Sequence, residues 1–198
     1  MKESKFLHDV LSKGAILGFV MLASCIFEQA VLIYKGTLGW VGFMGIEMLV
    51  IAGVFVWLIY RFTKNYSRAV LDSQQGIKYF SYGSGLGYAV VVSMLAGVIV
   101  AIGTYIFRHS IVGYDNYTDG MIQTYQNLLS ASNMPASMAG TYRQMFAQLK
   151  SQPEPSLFMS LFSGISNYFI SGTLVGLVVA GLVKHTPDIF NDKTGDAE

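Results

Sequence analysis

The sequence predicts an all-α polytopic membrane protein: a four-helix transmembrane bundle with an extracytoplasmic amphipathic helical hairpin between spans 3 and 4. Three observations carry this. Of the 198 residues 53% are hydrophobic and 13% charged, about half the charge of a typical soluble domain, near 25%. Four stretches are long enough to cross a hydrocarbon core, which takes about 20 apolar residues. None of the four alternates with period 2, and in lipid a backbone outside a closed barrel satisfies its amides within a helix.

The chain reads as a single transmembrane domain, 1–198, with spans at about 14–34, 38–60, 85–107 and 157–183. Basic residues set the orientation, because cytoplasmic segments are enriched in them. Lys2, Lys5 and Lys13 precede the first span, Arg61, Lys64, Arg68 and Lys78 separate the second from the third, and Lys184 and Lys193 follow the fourth. The opposite side carries Lys35, Arg108, Arg143 and Lys150. Both termini are therefore expected in the cytoplasm. Tyr34, Trp40, Trp57, Tyr60, Tyr105 and Phe107 lie near span ends, where aromatic rings anchor at the interface.

The third connection, 108–156, resembles soluble protein, and two amphipathic helices are expected within about 118–150. In the first, Met121, Ile122, Tyr125, Leu128 and Leu129 share a face, with Thr118 and Asp119 as start residues. The second begins near Pro135, which suits a first turn, and aligns Met138, Tyr142, Met145, Phe146 and Leu149. The run 152–155 (QPEP) then breaks helix ahead of the last span.

Composition excludes several function classes. A net charge of +1 provides no basic field for nucleic acid. One cysteine forms no intrachain disulfide, and with three scattered histidines it offers no tetrahedral metal spacing. The stretch 83–87 (GSGLG) imitates a dinucleotide loop, but Tyr88 stands where the third glycine is required and no strand precedes it. Close backbone packing at the mouth of the third span is its expected use. No phosphate loop, paired HxxxH or Ser/His/Asp arrangement is present, so no catalytic residue and no cofactor is expected. Asn116-Tyr117-Thr118 matches a glycosylation acceptor, relevant only in a eukaryote.

Leu22-Ala23-Ser24-Cys25 matches a lipobox behind three lysines. The residues after it argue against cleavage, because 26–34 stays apolar and completes a span. Cys25 is read as a small buried residue.

The residues that demand an explanation are Glu28 and Glu47, one in each of the first two spans, with no Lys or Arg inside any expected span. An ionisable side chain at the centre of a spanning helix costs about 2.5–3.5 kcal/mol on insertion scales. The turn at 35–37 makes the two helices antiparallel neighbours, and counting outward from Gly36 leaves the acids offset by about three residues, or about 4.5 Å. Two carboxyls in contact at depth favour protonation of one of them. A proton or cation site formed by Glu28 and Glu47, with Asn167 from the fourth span, is the functional expectation. Each acid fastening helices through hydrogen bonds, with Ser24, Gln29, Ser93 or Ser163 among the partners, is the structural alternative.

Small residues recur four apart at Gly14/Gly18, Ser93/Gly97, Ser160/Gly164 and Gly172/Gly176/Ala180. Such spacing flattens a helix face for close approach. Packing within one bundle is expected, with a homodimer seam along the last stripe as the alternative.

The stretches 80–117 (FSYGSGLGYAVVVSMLAGVIVAIGTYIFRHSIVGYDNY) and 162–190 (FSGISNYFISGTLVGLVVAGLVKHTPDIF) resemble a family of small four-span membrane proteins of unknown function common in Bacteroidetes. The resemblance implies an inner-membrane location and no established activity. Taken together, these features predict a non-enzymatic scaffold or complex subunit whose partners are the bilayer and a second copy or other membrane subunits. A proton- or cation-coupled small carrier is the alternative.

Overall fold

A computed structural model describes residues 2–74, 78–131 and 136–186. Helix α1 spans Lys2–Lys35, α2 Leu38–Asp72, α3 Tyr82–Ile106, α4 Tyr114–Ala131, α5 Ala136–Ser151 and α6 Leu157–Val183, with a π-helical turn, Phe107–Val112, continuing α3. Four of these helices are long and apolar enough to cross a membrane. The all-α polytopic architecture expected from composition is therefore the observed one.

The fourth span begins and ends where expected, and the others run longer. Helix α1 reaches back to Lys2 because Phe6 and Val10 continue its core-facing stripe, Val10 being buried. Helix α2 continues past Tyr60 to Asp72, with Phe62, Thr63 and Ser67 buried while Arg61, Asn65 and Arg68 stay exposed. That is the pattern of a helix leaving lipid with one face still packed.

The span of α3 is the most enclosed, 39% of it buried against 17% for α2, so α3 is the central rod and α2 a peripheral one. Small residues explain why α6 and α1 approach α3 so closely. A Cβ added at Gly97 would lie 2.8 Å from the Gly164 carbonyl oxygen, and one at Gly164 would lie 3.0 Å from the Gly97 carbonyl. Gly172 is crowded against Ser93, and Gly18 against Ile99 and Ala96. The Gly172/Gly176/Ala180 stripe is buried against α3, so its alternative use as a dimer seam is overturned. At the mouth of α3 the glycine cluster behaves as expected at Gly85, where a Cβ would sit 3.3 Å from the Ala180 Cα. The core proper gathers Leu17 and Met21 of α1, Ile59 and Phe62 of α2, Val92 and Ala96 of α3 and Val179 of α6.

Both ends of the bundle are tied. At the end carrying the termini, Phe80 and His185 exchange two backbone hydrogen bonds of 3.0 Å, joining the α2–α3 connection to the residue pair after α6. At the other end α4 lies across the α1–α2 turn. Thr124 Oγ1 donates to the Leu32 carbonyl at 2.6 Å, satisfying one of the carbonyls that a helix C-terminus leaves open. Helix α4 begins at Tyr114, ahead of the expected Thr118 and Asp119, because the turn into it is made by Gly113 with φ +83°, and the Tyr117 amide already bonds the Gly113 carbonyl at 2.9 Å. Of its expected apolar face Ile122 is buried and Tyr125 exposed, while Thr118 and Thr124 are unexpectedly buried. The expected start of the second helix at Pro135 lies outside the described residues. Helices α4 and α5 are linked by an exposed ion pair, Lys150 Nζ to Asp119 Oδ1 at 2.6 Å.

Gly97→Ala should destabilise the bundle by about 1–3 kcal/mol, the usual range for overpacking, because the obstructing atom is a backbone oxygen that cannot rotate away. Gly53→Ala, with nothing within 4 Å of the new methyl, should be neutral or slightly stabilising. Detergent unfolding curves of the two variants, measured side by side, check this; equal midpoints would contradict the packing account.

Candidate functional site

Glu28 and Glu47 do come together. On α1, Ser24, Cys25, Glu28 and Gln29 occupy positions i, i+1, i+4 and i+5, one face of the helix, and Glu47 of α2 meets that face. The Ser24 hydroxyl donates to Glu47 Oε1, and the Glu28 and Glu47 carboxyls lie within interaction distance of one another. Glu47 Oε2 is buried without a hydrogen-bond partner. The ion pairs among the described residues are His109–Glu154 and Lys150–Asp119, so neither acid is neutralised by a Lys or Arg.

The axial level of the pair follows from helical rise. Glu28 lies fifteen residues beyond Lys13, about 22 Å along α1, in a hydrocarbon core of about 30 Å. With Lys13 at one boundary, Glu28 would lie about 7 Å beyond the midplane and about 10 Å short of Lys35 at the end of α1.

Three neighbours were not anticipated from the sequence. Arg108, expected in a loop, stands on the π-helical turn, and its Nε donates to Gln29 Oε1 at 2.8 Å. Its guanidinium also lies 5.0 Å from the Tyr117 ring, and it is within electrostatic reach of Cys25. Burial raises the Tyr117 phenol above its ordinary value, with the Arg108 guanidinium pulling it the other way. Tyr168 of α6 lies within electrostatic reach of Cys25 and Glu28 and packs edge-on against Phe55 at 6.0 Å. Cys25 itself, a free thiol inside an uninterrupted helix, borders both acids. Asn167, the expected third member, is exposed on α6 and stays apart. One residue along a helix is a rotation of about 100°, and it is Tyr168 that turns inward.

The π-helical turn also carries His109, stacked on Tyr105 at 3.9 Å and on Tyr114 at 5.3 Å. Its Nδ1 donates to the Tyr105 carbonyl at 2.9 Å, and its Nε2 lies 3.3 Å from Glu154 Oε1 ahead of α6. The π geometry therefore aims Arg108 at α1 and His109 at the chain entering α6. Such turns are short insertions in a helix, often found at functional positions. Among the described residues no group of three or more His, Cys, Asp or Glu could hold a metal ion.

Fold and site together define a polytopic α-helical membrane protein with an acid pair set between its first two long helices. The chain belongs to the family described as "protein of unknown function (DUF4199)", whose model matches residues 13–185. Neither the comparison with curated proteins nor that with solved structures found a match.

Ser24→Ala should cost about 1–3 kcal/mol, the penalty for stranding a buried polar group, because it strips Glu47 of the hydroxyl that donates to it. A double-mutant cycle of Ser24→Ala with Glu47→Gln, read from unfolding midpoints, checks this. Strictly additive effects would show that the two side chains do not stabilise one another.

Proposed function

We propose that this protein is a non-enzymatic, multi-pass component of the inner membrane of a Bacteroidetes-type bacterium. In this reading both termini are cytoplasmic and the working element is a proton- or cation-binding pair, Glu28 and Glu47, of a small coupled carrier. The observation that carries it is Glu47 Oε2, buried without a partner beside a second carboxyl. An unpaired buried acceptor on a charged group is among the most costly arrangements in a protein interior. A proton or a cation between the two carboxyls relieves both the missing bond and the like charge.

The orientation rests on the excess of Lys and Arg at the ends of the spans nearest the termini. It puts the acid pair in the periplasmic half, so loading comes from the outside, past the Arg108–Gln29 contact. Helices α4 and α5 then lie on the periplasmic face. The role assigned to the acids is binding and release.

Purified protein in liposomes with an imposed pH or cation gradient tests this. Glu28→Gln and Glu47→Gln should each lower flux by about tenfold or more, the loss of about 1.4 kcal/mol of ion binding. Flux unchanged in both variants would remove the acid pair from the function.

A second reading, a scaffold or subunit of a membrane assembly, is favoured by the outer half of α2. Phe43, Ile46, Leu49 and Val50 are exposed there, and Gly39, Gly42 and Gly45 have open space around them. In a Cys25→Ser background, Leu49→Cys should then cross-link in native membranes to a second copy or to another subunit. Recovery of the uncross-linked chain alone would leave that surface to lipid.

A further inference from the structure

At the end of the bundle that carries the termini, α1 and α2 part around a cleft of about 760 Å³. Its walls include Phe6, Asp9 and Lys13 of α1 and Asn65, Tyr66 and Val70 of α2. Aromatic rings form its back. Tyr66 stacks on Tyr88 with centroids 4.3 Å apart, and Phe6 meets them edge-on at 5.7 and 6.3 Å. Tyr88, 2% exposed, donates its hydroxyl to Asp9 Oδ2 at 2.5 Å. That bond holds the carboxylate beside the rings and leaves its other oxygen for a second donor. A carboxylate flanked by aromatic faces is the chemistry that receives an ammonium group.

Lys13 lies one turn further along α1, with its ammonium 5.6 Å from the Phe62 ring. Opposite charges four residues apart on a helix, acid first, are well placed to pair. Asp9 and Lys13 do not, and neither takes part in the two ion pairs found among the described residues. The cleft thus offers one unpaired anion and one unpaired cation, about 6 Å apart along the helix axis. A ligand carrying a primary ammonium and a phosphate two carbons apart matches that pair of charges.

The level of the cleft indicates where such a ligand comes from. Arg61, Lys64 and Arg68 of α2 lie at the same end, the height at which basic side chains reach lipid headgroups. Phe6, Ala69 and Val70 supply apolar wall beside the charges. We infer that this cleft binds the headgroup of an aminophospholipid, its ammonium at Asp9 among the rings and its phosphate at Lys13, with the acyl chains passing down the α1–α2 flank.

The full-length protein, reconstituted in vesicles of equal parts phosphatidylethanolamine, phosphatidylglycerol and phosphatidylcholine and then extracted, should retain phosphatidylethanolamine preferentially in native mass spectra. Asp9→Asn, which still accepts from Tyr88, and Lys13→Met, which keeps the aliphatic stem, should each reduce that retention by about tenfold, or about 1.4 kcal/mol. Unfolding midpoints equal to the parent certify that both variants are folded; if one is not, the other decides. Equal retention of the three lipids, or undiminished phosphatidylethanolamine in a folded variant, overturns the proposal. Displacement of the bound lipid by millimolar free phosphoethanolamine would likewise overturn a lipid source in favour of a soluble zwitterion.

Discussion

The close approach of α3 and α6 is the contact on which the bundle depends. Lipid tails are as apolar as leucine, so burying apolar side chains between spans gains little, and helices in a bilayer are held by close packing and by hydrogen bonds. Gly97 and Gly164 meet backbone to backbone, and Gly172 receives Ser93. Helix α1 uses the same device, with Gly14 against Leu95 and Gly18 against Ala96. Helix α2 does not: Gly39, Gly42, Gly45 and Gly53 all face open space. Its outer half meets α1 through the Ser24 hydroxyl on Glu47 and through the edge-on Phe27–Phe43 ring contact at 6.4 Å. The bundle therefore has a tightly packed triad, α1, α3 and α6, and a fourth helix attached partly by an acid.

That division explains where the acids are. Ionisable groups at depth are tolerated where a polar partner is at hand, and the α1–α2 seam is the place in this bundle where side chains rather than backbones fill the gap. Loosely packed elements of a structure move first, and α2 is the least buried of the four spans. The π-helical turn adds a cation near its outer edge, because the extra residue it accommodates lets Arg108 point back toward Gln29 while Phe107 stays buried.

The sequence made the spans legible because a run of about 20 apolar residues has few alternatives, and it made the acid pair legible because a two-residue turn leaves little freedom in the relative depth of α1 and α2. Small residues four apart were equally readable, since their spacing is itself the packing instruction. The rest of the site was not. Helices apolar on every side carry no moment to say which face turns inward, so polarity pointed to Asn167, which is exposed, and gave no sign of Tyr168, which is half-buried against Phe55. The π turn has no sequence signature, and without it Arg108 reads as the first residue of a loop. The ends of α1 and α2 were set too short for a related reason. Hydropathy stops at the first charges, whereas Val10 and Phe62 keep one face of each helix in the core beyond them.

One helix, α1, carries both polar sites, Asp9 near one end and Glu28 nineteen residues later, about 28 Å away. Between them Leu17 and Met21 of α1 join Phe55, Leu58 and Ile59 of α2 in the buried apolar core. A dry plug of that kind is a barrier to protons and ions, since charge crosses it only against the full cost of desolvation. On the proposed carrier reading, the cleft at Asp9 is separated from the acids by that core. Alternating access would require α2 to move against α1 until those five side chains part, while the α3–α6 contact, made by backbones, stays fixed as the frame.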